Sequence, residues 1–196
     1  ITGTLNVLEA CRRHDVKRMI HTSTSEVYGT ALFAPITEEH PLQGQSPYSA
    51  SKIGADHIVE AYARSFDLSA VILRPFNTFG PRQSERAVIP TVIRQILDDT
   101  CAEVRLGDLS PVRDFNYVGD IIDAFIRLAL CDTVGMGEVY NAGSGNSVTI
   151  AEMVDLVEQI TSIRKPIKTE TQRRRPKNSK VSELIANSQK LTAACG

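Results

Sequence analysis

The chain has 196 residues, enough for one generous domain or two small ones, and its 42% hydrophobic and 23% charged side chains are ordinary for a globular protein. With 22 basic against 23 acidic side chains and a net charge of −1, nothing points to nucleic acid or an acidic membrane as partner. No apolar run is long enough to cross a bilayer, and residues 1–20 lack the apolar core of a signal peptide.

Residues 4–14 read as a helix with Leu5, Leu8 and Cys11 on one face and Val7 beside them. A strand follows at 16–23, and the run Thr22, Ser23, Thr24, Ser25 and then Glu26 at its carboxyl end is a poor continuation for a buried strand. Residues 30–47 hold Pro35, Pro41, Gly44 and Pro47 and read as a loop long enough to suspect function. A helix at 48–66 carries an apolar stripe of Ile53, Ile58, Ala61, Tyr62 and Phe66. Ala70-Val71-Ile72-Leu73 is a continuous apolar run, as expected of a strand buried on both faces. Alternating helix and strand predict a parallel α/β fold with crossover helices.

After Pro75 the texture changes. Residues 75–87 are rich in proline and arginine, and a helix at 88–99 and a short strand at 103–106 follow. An irregular stretch spans 107–117, then a helix at 119–131 with Ile121, Ile122, Ala124, Phe125, Leu128 and Ala129. Residues 138–141 are a strand candidate, and Thr149 with Glu152 predicts a capping box opening a helix to about Ile160. Residues 162–182 are polar and basic, including Arg173-Arg174-Arg175. No repeat or low-complexity linker is present.

The cysteines at 11, 101, 131 and 195 form no CxxC pair, and the histidines at 14, 21, 40 and 57 are dispersed. This reads as free thiols in a reducing cytoplasm, with no metal site. Gly143-Ser144-Gly145 is a lone GxG with Val148 where a third glycine would sit, and is not a dinucleotide fingerprint.

Tyr48 and Lys52 stand four apart at a helix start, on one face and one turn apart. A free tyrosine has a pKa near ~10, too high for a base at neutral pH, but a neighbouring ammonium favours phenolate. The pair is a plausible proton acceptor for an alcohol; the plain alternative is a solvated Tyr and Lys on a helix surface. It is not alone, because a strand ending in Ser/Thr precedes it and a buried strand ending in Arg74-Pro75-Phe76-Asn77 follows it. In open parallel sheets the site lies beyond the carboxyl ends of the strands, where these segments would converge.

With these motifs the chain resembles the extended short-chain dehydrogenase/reductases, the NAD-dependent sugar-nucleotide epimerases and dehydratases. The resemblance runs from residue 3 to 196 through GTLNVLEA (3–10), STSEVYG (23–29), PYSASK (47–52), RPFNTFGPRQ (74–83), RDFNYVGD (113–120), VYNAGSG (139–145) and RRPKNS (174–179). It implies the C-terminal part of a Rossmann-like parallel sheet over residues 1–80. It further implies a smaller mixed α/β substrate-binding region over 81–196, with 114–145 returning to the first sheet. The family's glycine-rich first βα turn, which holds the cofactor's pyrophosphate, does not occur in the chain. The family pattern therefore reads as cut at the N-terminus, and residues 1–196 alone are expected to be inactive.

The resemblance assigns roles residue by residue. Tyr48 would be the base and Lys52 its partner, also holding the nicotinamide ribose. Thr22, Ser23, Pro75 and Phe76 would lie against NAD. Thr24 would bond the sugar's 4-hydroxyl. Asn77, Arg82, Val88, Ile89, Pro90, Gly107, Arg113, Asn141 and Arg175 would line the pocket for a nucleotide-diphosphate sugar, while Arg173 and Arg174 read as solvated. A cytoplasmic homodimer or homotetramer, serving cell-surface polysaccharide synthesis, is implied for the full-length enzyme.

Ser25 and Glu26 separate the subfamilies. Epimerases of the family carry small residues here, whereas dehydratases carry an acid at the position of Glu26. Oxidation at carbon 4 makes the hydrogen on carbon 5 acidic, a carboxylate can take it, and the hydroxyl on carbon 6 leaves as water. The plain alternative for Glu26 is a loop or cap carboxylate. Dehydratases of the dTDP-glucose type place an aspartate where this chain has Ser25. Serine there is similar to GDP-mannose 4,6-dehydratases and UDP-glucuronate decarboxylases, and the stretch 41–48 is similar to dehydratases of legionaminic-type acid synthesis acting on a nucleotide-linked N-acetylglucosamine. The expected activity is a 4,6-dehydratase, a lyase. The alternatives are a UDP-glucuronate decarboxylase or 4-epimerase, and, in another class, an inactive nucleotide-sugar-binding module.

Overall fold

A computed structural model describes residues 1–170 and 182–196. In chain order the elements are α1 (Thr2–Arg13), β1 (Met19–Thr22), α2 (Pro47–Phe66), β2 (Ala70–Pro75), β3 (Thr78–Phe79), α3 (Val88–Leu97), β4 (Val104–Leu106), β5 (Val112–Arg113) and β6 (Asn116–Tyr117). They continue as α4 (Val118–Leu130), β7 (Val139–Ala142), β8 (Val148–Thr149), α5 (Ile150–Thr161), β9 (Ile167–Thr169), β10 (Glu183–Leu184) and α6 (Gln189–Cys195). A single 3-10 turn, Ser25–Tyr28, follows β1.

The central sheet is parallel in the order β1-β2-β7, with Ile20 beside Val71 and Leu73 beside Tyr140. β2 is buried on both faces, and its side chains alternate. Ala70 and Ile72 join Leu8, Cys11, Val59 and Leu68 under α1 and α2. Val71 and Leu73 join Ile121, Ala124 and Leu128 under α4. The unbroken apolar run is thus explained by helices on both faces. Leu128 is fully buried, so Leu128→Ala is expected to cost about 2–5 kcal/mol, read as a lower urea midpoint.

A second apolar cluster joins α3, β4 and α5 through Val92, Ile96, Val104, Ile150, Met153 and Val154. α5 opens on the expected reciprocal Thr149–Glu152 box. The stretch 107–117, expected to be irregular, contains β5 and β6, whose two-residue strands are too short to leave a periodic signal.

Two expectations are corrected. β1 starts at Met19 rather than 16, because residues 14–16 are spent closing α1: His14 N–H donates to Ala10 O, Val16 N–H to Cys11 O, and Asp15 takes φ 48°. The fully buried face of α2 is Ser49, Ala55, Asp56, Val59 and Ala63; of the expected stripe, Ile53, Ile58 and Tyr62 pack partly against the apolar clusters, while Ala61 and Phe66 are exposed. The helix sits close to the sheet on small and polar residues, a face that a search for large apolar side chains passes over.

Candidate active site

The hydroxyl-rich end of β1 is a turn-former. Thr24 has extended backbone, and its Oγ1 accepts from Glu26 N–H at 3.2 Å, opening the 3-10 turn. Gly29 ends that turn at φ 65°, where any side chain would also run into the Gln43 carbonyl. Val27 and Tyr28 are drawn fully into the core, Ser25 is buried, and Glu26 is left half-buried.

α2 begins where Ser46 and Ser49 cap each other and Pro47 fills the first turn. Tyr48 is therefore held on the first turn, with half of its surface exposed. One turn on, Lys52 Nζ donates to Thr22 O at 2.8 Å, tying the helix to the end of β1.

The two strand ends and this helix start enclose a cleft of about 230 Å³. Ser23, Thr24, Ser25 and Glu26 form one wall, Tyr48 another, and Pro75, Phe76, Asn77 and Thr78 a third. Eight of these were expected site residues. Thr78 was missed; its hydroxyl donates to Phe76 O at 2.9 Å, and its one signal was its place directly after Asn77. Asn77 Oδ1 is buried with no hydrogen-bond partner.

Beneath the cleft lies a buried polar network. Asp56 is fully buried and its Oδ2 accepts from Ser23 Oγ (2.8 Å), Arg74 Nε (3.1 Å) and Arg74 Nη2 (3.0 Å). Its Oδ1 lies 3.4 Å from His21 Nε2. Arg74 Nη1 also donates to Tyr28 Oη at 3.1 Å, and Tyr28 Oη to Asn141 Oδ1 at 2.6 Å. Burial alone would raise the Asp56 carboxyl, but His21, Arg74 and Ser23 outweigh it and hold it below the usual range. A depressed carboxyl contributes stability that is present above the unfolded value near ~3.9 and is lost as pH falls through the folded value. The stability gap between the native protein and Asp56→Asn is therefore expected to narrow below about pH 4, as read from urea midpoints across pH.

The remaining expected ligand residues lie away from this cleft. Arg82 is exposed in a turn at φ 66°. Val88, Ile89 and Pro90 form the first turn of α3, with Val88 and Ile89 packed partly on the second cluster. Gly107 follows β4. Arg113 Nη1 donates to Val112 O (2.7 Å) and Ser182 O (3.2 Å). Asn141 is a correction: it is fully buried, and its amide nitrogen donates to Ile36 O, so it frames the core and offers nothing to a ligand. Ser23 is half a correction, since it lines the cleft with its hydroxyl already donated to Asp56. Arg175 lies outside the described residues.

Comparison with known proteins supports one family. The dTDP-glucose 4,6-dehydratase of an Actinoplanes species is 37% identical over 158 residues, 80% of this chain and 48% of that protein. The Bacillus anthracis dTDP-glucose 4,6-dehydratase, solved with NAD, superposes with TM-score 0.86 at 29% identity over 99% of this chain and 60% of that one. The Bacillus cereus UDP-glucuronic acid 4-epimerase, solved with UDP-glucuronic acid and NAD, gives TM-score 0.90 at 28% identity over 100% and 60%. This chain spans about half the length of the curated relatives it matches. The fold is that of Rossmann-type short-chain dehydrogenase/reductases, dehydratases and epimerases alike. The GDP-mannose 4,6 dehydratase family profile matches residues 1–196, and the chain belongs to that family of sugar-nucleotide-modifying proteins.

Proposed function

We propose that this chain carries the reaction centre of an NAD-dependent nucleotide-sugar 4,6-dehydratase. The observation that carries the reading is Glu26, a carboxylate in the same cleft as Thr24 and Tyr48. The nicotinamide end of NAD suits the residues present: the cleft lies off the carboxyl ends of parallel β1 and β2, and Asn77, whose buried Oδ1 has no partner, is one of its lining residues. NAD, when bound, supplies the hydride acceptor for carbon 4 and the donor for carbon 6.

The protein's own residues move the protons. Thr24 Oγ1 accepts from Glu26 N–H and keeps its own proton to donate to the sugar's 4-oxygen. Tyr48 Oη takes the proton of the 4-hydroxyl, with Lys52 one turn below it. Glu26 takes the proton from carbon 5 once carbon 4 is a ketone. Ser25 supplies no acid, so the leaving hydroxyl on carbon 6 takes its proton from Glu26 or through a water at Ser25. Asn77, Arg82, Val88, Ile89, Pro90, Gly107, Arg113 and Arg175 hold the nucleotide diphosphate in this reading.

A second reading within the family is a 4-epimerase or UDP-glucuronate decarboxylase. It is supported by the 4-epimerases among the relatives, and Ser25 fits a decarboxylase as well as a GDP-mannose-type dehydratase. Incubating the full-length protein with NAD and UDP-, GDP- and dTDP-linked hexoses, N-acetylglucosamine and glucuronic acid, then identifying products by NMR, tests both. A 4-keto-6-deoxy sugar is expected; a 4-epimer or a pentose would replace the first reading with the second.

A further inference from the structure

Asp56 takes no part in the chemistry above, yet a fully buried carboxylate is costly unless it is bonded for a purpose. Its neighbours are the three walls of the cleft. It belongs to α2, one turn beyond Lys52 and two beyond Tyr48. It accepts from Ser23, the residue between Thr22, whose carbonyl Lys52 holds, and Thr24. It takes two hydrogen bonds from Arg74, immediately before the Pro75–Thr78 wall. Arg74 in turn reaches Tyr28 Oη, the last residue of the turn that carries Glu26. One carboxylate therefore ties the helix of the base, the strand of the hydroxyl donor and the strand under the ligand.

Resting on the function proposed above, we infer that Asp56 is a positioning residue, setting the distance from Tyr48 to Thr24 and to the Pro75–Thr78 wall through Ser23 and Arg74. Its charge is matched by Arg74 at 3.0 Å, so its influence on Tyr48 is through geometry and not through an unbalanced field. Binding of the nucleotide diphosphate is left to residues outside this network. Misplacing a reacting group by ~1 Å costs on the order of 10²-fold in rate.

The experiment uses the full-length protein, with wild type, Asp56→Asn and Ser23→Ala compared per folded molecule. Asp56→Asn is expected to lower kcat about 10²-fold while KM, and calorimetric affinity for the nucleotide sugar without turnover, stay within about threefold. The pH–rate profile of Ser23→Ala, which leaves the Asp56–Arg74 ion pair intact, keeps the wild-type apparent pKa values on a lower plateau. Amide exchange across residues 22–28 speeds up. Ser23→Ala, which cuts only the tie to β1, is expected to lower kcat by about tenfold and serves if Asp56→Asn does not fold. A lower melting point with unchanged kcat in either folded variant overturns the inference, as does a shifted pH profile in Ser23→Ala, where the ion pair is kept and a shift would make the role electrostatic. A wild type that turns over no nucleotide sugar overturns the function beneath it instead.

Discussion

Tyr48→Phe in the full-length protein is expected to abolish NADH formation in a single turnover with nucleotide sugar. The phenol stands on the cleft wall with half its surface exposed, and its hydroxyl is the one group on α2 placed there to take a proton. Removing it keeps the ring and the helix cap, since Ser46 and Ser49 form that cap without it. Nucleotide-sugar affinity should therefore hold within a few-fold, while the rate falls by at least the 10²–10⁴ typical of a lost general base. Stopped-flow absorbance and calorimetry read the two quantities separately. Normal turnover by Tyr48→Phe would remove the tyrosine from the mechanism.

Glu26→Gln is expected to leave oxidation at carbon 4 in place and stop the elimination. The substitution is nearly isosteric, and the N–H of residue 26, donated to Thr24 Oγ1, opens the turn that holds it in either form. Loss of the positioned base should slow dehydration about 10²–10⁴-fold and suppress exchange of the carbon 5 hydrogen with solvent deuterium. Reduced cofactor then accumulates in place of product. Full dehydration with unchanged deuterium uptake at carbon 5 would leave Glu26 as a plain turn residue.

What the sequence disclosed and what it hid follow from the range of the interactions. The Tyr48–Lys52 pair, the buried β2 run and the Thr149–Glu152 box are local patterns at helical or strand spacing, and each occurs where the spacing put it. The site's frame is not local. Asp56 meets Ser23 across 33 residues, and Tyr28 meets Asn141 across 113. Both pairs are polar, so no apolar period marks them, and Asn141, expected against the ligand, is a buried frame residue. The expected stripe on α2 covers only the edge of its buried face for the same reason: Ser49, Asp56 and two alanines carry little hydrophobic signal, although they are buried. Residues joined by family motif alone, such as Arg82 and Arg113, lie outside the cleft that the strand ends form.

The most direct test follows one atom. The full-length protein, NAD and a nucleotide sugar deuterated at carbon 4 are incubated, and the product is analysed by NMR and mass spectrometry. A 4,6-dehydratase removes the deuterium with the carbon 4 hydride and returns it to carbon 6, so a 4-keto sugar with a monodeuterated methyl group and the mass of one water lost is predicted. Deuterium still on carbon 4, at an inverted centre with the substituent on carbon 6 intact, would contradict the account and make Glu26 a bystander.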